Sequence, residues 1–302
     1  MGKNVFNNKY LKSVKKRKYI AFIIIIIAVI LFLVFFYFMD NNDLPNKEQY
    51  NKKQVQEEVV LKNNAPNHEI DIPDRFLELE KAIAKNKDTV GWINIPNTTI
   101  DYPIMQAKDN DYYLRRNEDA KYSFEGCIFG DYESVFNPLD NLSNNLVCHG
   151  HNLDDNPDGK RFAQLVKFQH IDFAKNNPYI FITIRDASLV YQIYAVYFTD
   201  IYFGYTMVGL DKNMQQAMID SAKKRSEYIY KDVDVSGEDD ILTLSTCTYK
   251  FGVYESLGQK NTRFSIQAVR LNENSTLLKQ ANIEKNPDIR APRIQGDGRL
   301  AR

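Results

Sequence analysis

Between Tyr19 and Met39 the chain has no charged residue, and before that stretch it has no acidic one. Such a run cannot belong to the surface of a soluble domain. Twenty-one residues of helix reach about 31 Å, enough for a hydrocarbon core of about 30 Å. A cleaved signal peptide also carries an apolar core, but a shorter one ending in small residues. No such site closes this run, which ends Phe35-Phe36-Tyr37-Phe38-Met39-Asp40. The expectation is a membrane anchor over 19–39. Seven basic residues, including Lys15-Lys16-Arg17-Lys18, precede it, and Asp40 and Asp43 follow. That asymmetry implies a cytoplasmic N-terminus and an extracytoplasmic remainder, single-pass in the cell membrane.

Cysteine is nearly absent. Cys127, Cys148 and Cys247 form an odd, scattered set, which excludes a disulfide framework and leaves at least one free thiol. Excess positive charge is also missing: beyond the apolar run, 32 Lys and Arg face 39 Asp and Glu, so no broad polyanion-binding surface is expected. There is no internal repeat.

What is present divides the chain into five parts. Residues 1–18 form a basic segment and 19–39 the anchor. Residues 40–70, rich in Asn, Lys, Gln and Glu, read as a stalk. A folded domain is expected over 71–272, and a mobile polar tail with Pro287, Pro292, Gly296 and Gly298 over 273–302. Within the domain, Asp74 can cap a helix to about Asn86, with Phe76, Leu79 and Ile83 on one face. A second helix is expected from Asp211 to about Tyr230. Short apolar runs at Trp92–Ile95, Ile100–Met105, Cys127–Phe129, Leu146–Cys148, Ile241–Thr246 and Arg263–Leu271 read as strands. Tyr179–Ile184 and Leu189–Thr199 read as a hairpin around Asp186-Ala187-Ser188. Many short strands with two helices imply a mainly-β barrel or sandwich.

Three strand ends carry candidate chemistry. Thr243-Leu244-Ser245-Thr246-Cys247 ends in a cysteine that a strand would hold and a loop would expose, although most free cysteines are simply small buried hydrophobes. Leu146-Val147-Cys148-His149-Gly150-His151-Asn152 brings two of the four histidines to another strand end. A thiol with a pKa of about 8.5 needs such a base to become a nucleophile, and an acid to release an amine. The alternatives here are a solvated turn, or a metal site from Cys148, His149 and His151, for which no second ligand pair follows. Arg263 opens the last long strand, where a fixed cation suits an oxyanion but is also a common surface residue.

Together these pieces resemble the sortase family. Thr-Leu-Ser-Thr-Cys at 243–247 resembles the TLxTC signature, His151 stands upstream in a Gly-His-Asn stretch, and Arg263 lies sixteen residues downstream. Asp111-Tyr112-Tyr113-Leu114 and Gly126-Cys127-Ile128-Phe129-Gly130-Asp131 resemble the region ahead of the sortase histidine strand. The two helices are similar to the class B branch, and the likeness covers about 72–271. One departure is His149, where sortases of this branch commonly have Tyr.

The resemblance implies a closed sortase-like β-barrel and a cysteine transpeptidase needing no cofactor and no metal. Its catalytic residues would be His151, Cys247 and Arg263, with Thr246 and Thr248 at the substrate. It would act on secreted proteins bearing an Asn-Pro-x-Thr sorting motif and on an amine of the peptidoglycan cross-bridge or of a pilin, with no nucleic acid. The other readings are an L,D-transpeptidase, a cell-surface cysteine protease, and a non-enzymatic tethered surface protein.

Overall fold

A computed structural model describes residues 70–251 and 262–292, all within one compact unit, Pro66–Arg302. The expected basic segment, the anchor, and the stalk up to residue 69 lie outside the described residues, as do 293–302. Among the described residues no helix is long and apolar enough to cross a membrane.

Helix α1 (Phe76–Lys85) opens the domain. Asp74 serves its first turn by accepting the Phe76 N–H at 3.1 Å, and Leu79 is its fully buried anchor. Strands β1 (Thr89–Asn94), β2 (Asp101–Met105), β3 (Phe129–Gly130) and β4 (Asn145–His149) follow. A short helix, α2 (Ile171–Asn176), leads to the expected hairpin of β5 (Tyr179–Thr183) and β6 (Ser188–Asp200). Then come α3 (Lys212–Arg225), β7 (Tyr228–Tyr230), β8 (Ile241–Cys247), β9 (Thr262–Arg270) and β10 (Ile283–Lys285).

Eight strands close into a barrel in the order β1-β2-β3-β4-β8-β9-β6-β5. Pairs β2–β3 and β4–β8 are parallel, and the other six are antiparallel. The architecture is thus the expected barrel and not a sandwich. Alternation along β8 explains its two faces. Leu242 and Leu244 join Leu146, Cys148, Ile266 and Ala268 in the main core. Ile241 faces the other way, packing with Val269 and Tyr197 against Met218, Ile219 and Ala222 of α3.

Two expectations are corrected. The second helix stops at Arg225, not near Tyr230. The Ser226 hydroxyl accepts the Val196 N–H at 3.1 Å and donates to Tyr228 O at 2.7 Å, turning the chain into β7. The segment from 273 is not a loose tail over its described length. Leu277 is buried against Tyr179 and Phe181, the Ala281 N–H donates to Lys175 O at 2.9 Å, and β10 pairs with β7. A few scattered apolar residues inside a polar segment carry little periodic signal, although burying Leu277 and Ala281 helps to dock the chain.

Candidate active site

Cys247 is the last residue of β8, and by alternation it shares the outward face of Ile241, Thr243 and Ser245. Antiparallel pairing sets Arg263 directly opposite it on β9. On the other side of β8, the parallel register matches Cys148 with Leu244 and His149 with Ser245. The Gly150 N–H continues this ladder to Ser245 O at 3.3 Å. His151 follows two residues after His149, just past the end of β4, and its neighbour Asn152 reaches Cys247 O from Nδ2 at 2.9 Å. Of the three residues expected from sequence, Cys247 and Arg263 thus pair across β8 and β9, and His151 lies just past the neighbouring end of β4.

Each is held from behind. His151 Nε2 lies 2.7 Å from Leu114 O. A carbonyl can only accept, so Nε2 carries a proton, and whenever the ring is neutral Nδ1 is its basic nitrogen. The His151 carbonyl in turn accepts the Phe162 N–H at 3.0 Å. Arg263 Nη1 donates to Thr262 O at 3.0 Å. Near Arg263 lies Tyr205, whose buried hydroxyl is 2.8 Å from Ser245 Oγ. Burial pushes that phenol up to about 12, against the downward pull of its bond to Ser245 and of the nearby Arg263. Neither Tyr205 nor Ser245 is marked by any sequence signal beyond the strand motif.

The other thiols and the second histidine point elsewhere. Of the three cysteines, only Cys247 is partly exposed. Burial pushes the Cys127 and Cys148 thiols far up, which keeps them protonated and inert. Alternation sends Cys148 into the core and His149 outward, so Cys148, His149 and His151 do not converge on one ion. His149 lies 3.1 Å from Asp131 Oδ2 and packs on the Phe129 ring at 5.3 Å. Burial pushes the Asp131 carboxyl up, but the bonds from His149, the Glu133 N–H and Asn110 together hold it below the usual carboxylate range.

The two threonines expected at the substrate are both buried. Thr246 faces inward, and its hydroxyl donates to Gly150 O at 2.7 Å, tying β8 to the histidine turn. Thr248 gives its hydroxyl to Asp155 Oδ2 at 3.0 Å, which leaves its backbone as the part able to act. Both hydroxyls are thus engaged within the protein, as burial requires, since an unpaired buried hydroxyl costs about 1–3 kcal/mol. Sequence reasoning overlooked Asp155 and gave Asn152 no role. Asn152 donates from Nδ2 to Cys247 O at 2.9 Å, and only its place in the Gly-His-Asn stretch hinted at this.

Comparison with known proteins points one way. Residues 93–270 match the family model described as Sortase domain. A curated protein named Sortase B from Listeria monocytogenes serovar 1/2a is 37% identical over 178 residues, covering 59% of this chain and 68% of that protein. Sortase B of Staphylococcus aureus is 30% identical over 180 residues, covering 60% and 70%. The fold is similar to that of a Staphylococcus aureus sortase B–substrate complex, with a TM-score of 0.55 and 26% identity over 75% of this chain and 96% of that one.

Proposed function

Because the chain belongs to the sortase family, as a cysteine transpeptidase of the class B kind, we propose that it cleaves an Asn-Pro-x-Thr sorting motif near the C-terminus of secreted proteins. Cys247 passes its Sγ proton to His151, and the sulfur attacks the carbonyl carbon of the motif's Thr. The amide nitrogen leaves with a proton from His151, giving a thioester. An amine of the peptidoglycan cross-bridge or of a pilin lysine then attacks that thioester, His151 takes the amine's proton, and the thiolate departs as the new amide forms. The reaction balances without any cofactor.

Each role follows from the chemistry of its residue. With Nε2 tied to Leu114, Nδ1 is the nitrogen that takes and returns the proton. Arg263 and the Thr248 N–H supply donors to the oxyanion formed at each attack. Residues 19–39 anchor the enzyme with its N-terminus in the cytoplasm, so that the domain, the secreted substrate and the wall amine share one compartment. The observations that support the reading are the pairing of the one partly exposed thiol with Arg263 and the bond that ties Asn152, the residue after His151, to Cys247 O.

The test uses the full chain in detergent with fluorogenic Asn-Pro-x-Thr peptides and added amines. Amine-dependent product is expected from wild type, Cys148→Ala and His149→Ala. It is expected to vanish in Cys247→Ala and His151→Ala, and to fall about 100- to 1000-fold in Arg263→Ala, the loss typical of an oxyanion donor. Activity surviving in Cys247→Ala would refute the assignment.

A further inference from the structure

Beside Cys247, two loops far apart in sequence are locked together by polar side chains. Asn152 Nδ2 donates to Cys247 O at 2.9 Å and to Asp155 Oδ1 at 2.5 Å. Asp155 Oδ2 accepts the Tyr249 N–H at 2.7 Å and the Thr248 hydroxyl at 3.0 Å. Thr262 Oγ1 donates to Thr248 O at 3.0 Å.

Peptide planarity turns these contacts into a statement about direction. The Cys247 carbonyl and the Thr248 N–H belong to one trans peptide unit and point opposite ways. Gripping the carbonyl therefore aims the N–H. The next unit is gripped at both ends, Thr248 O by Thr262 and the Tyr249 N–H by Asp155. Two consecutive planes are thus fixed immediately after the nucleophile.

We infer that Asp155 and Asn152 are positioning residues, which aim the Thr248 N–H at the oxyanion formed when Cys247 attacks an acyl carbonyl. The inference rests on Cys247 being the nucleophile. Asp155 suits the task because a carboxylate offers two acceptor oxygens and no donor, and three donors converge on it. It sits at φ 49°, beside Asp154 at φ 65°, in the left-handed region that few residues other than glycine enter. That backbone cost is sustained by the bonds the carboxylate makes across to the cysteine loop. Asn152 is buried, and its Oδ1 has no partner among the described residues, so its place is set by the two bonds from Nδ2.

The test compares wild type with Asp155→Ala, Asp155→Asn and Asn152→Ala, all as full chain in detergent. Three readouts separate the possibilities. Steady-state turnover of an Asn-Pro-x-Thr peptide divides kcat from KM. The burst of p-nitrophenolate from p-nitrophenyl acetate reports attack on an acyl carbonyl without any sorting motif. Alkylation of Cys247 by iodoacetamide passes through no oxyanion.

Asp155→Ala and Asn152→Ala are expected to lower kcat and the burst rate about 10- to 100-fold, with KM within about threefold and alkylation within about twofold of wild type. Asp155→Asn keeps one oxygen for the Tyr249 N–H and is expected to fall between Asp155→Ala and wild type. A burst within twofold of wild type in both alanine variants would overturn the inference. So would an equal fall in burst and alkylation, which marks general collapse of the site, or Asp155→Asn bursting no faster than Asp155→Ala. Wild type that bursts but cleaves no peptide of the set counts against the sorting motif alone. A burst that survives Cys247→Ala counts against the nucleophile.

Discussion

Gly126 offers the sharpest test of how the histidine is held. It lies at φ 56°, and a Cβ built there would fall 2.7 Å from Leu114 O, 2.8 Å from Tyr113 O and 3.1 Å from His151 Cδ2. Two penalties therefore act on Gly126→Ala. The left-handed backbone costs an alanine about 1–2 kcal/mol. Moving two backbone carbonyls to relieve the contacts costs about 1–3 kcal/mol more, the usual range for overpacking. Gly209 separates these terms, since it sits at φ 68° with nothing within 4 Å of its would-be Cβ. Gly209→Ala is thus expected to lose only the first, about 1–2 kcal/mol. At about 2–4 °C per kcal/mol for a domain of this size, Tm should fall roughly 4–20 °C in Gly126→Ala and roughly 2–8 °C in Gly209→Ala. Because Leu114 O is the partner of His151 Nε2, the first variant should also lose about tenfold or more in kcat, and the second should stay near wild type. Calorimetry and peptide turnover on the same preparations measure both effects. If the variants match in Tm and kcat, or if Gly126→Ala loses stability while keeping full kcat, the link from Gly126 through Leu114 to His151 is refuted.

Two further outcomes follow from the same geometry. Iodoacetamide added to native protein is expected to label Cys247 alone, with Cys127 and Cys148 labelled only after unfolding, because burial keeps both thiols protonated and covered. Peptide mass mapping reads the count, and a second native adduct would contradict the burial. The Asp131 carboxyl is held below its ordinary value, so its contribution to stability is fully present above an unfolded pKa of about 4 and is lost as pH falls through the folded one. Asp131→Asn should therefore lower Tm at pH 7 and make Tm fall less steeply than in wild type between pH 5 and pH 3. Equal acid slopes in the two proteins would show that the His149–Asp131 pair carries no linkage.

How much of this was legible in the sequence depended on whether a residue's role repeats along the chain or is satisfied by one partner across space. Alternation repeats, so Ile241–Thr246 and Leu189–Thr199 read as strands, and the residues at the end of the first read as candidate chemistry. Cys247, His151 and Arg263 could be named because each carries a rare group at a strand terminus, and the resemblance supplied their order. Pairing partners leave no such trace. Nothing near Ser226 announces that its hydroxyl binds Val196 and ends α3, and nothing near Leu277 announces its docking on Tyr179. The side chains of Thr246 and Thr248 are a further case. Beside a nucleophile a hydroxyl looks like a substrate contact, yet these two are spent on Gly150 O and Asp155.

The residues hidden from the sequence share one feature. Asp155, Asn152, Leu114 and Gly126 act through backbone groups of other segments, or through their own. Side-chain chemistry is written in residue type, but the direction of a carbonyl or an N–H is not. An oxyanion donor made from a main-chain N–H can be aimed only by whatever grips its peptide plane. In this chain the grip comes from a polar loop 92 residues before the cysteine, at Asp155. Catalytic groups at strand ends and aiming groups in loops are therefore a division imposed by the fold. The barrel register pairs Cys247 with Arg263, and the loop bonds supply the finer orientation that a strand terminus, free on one side, lacks.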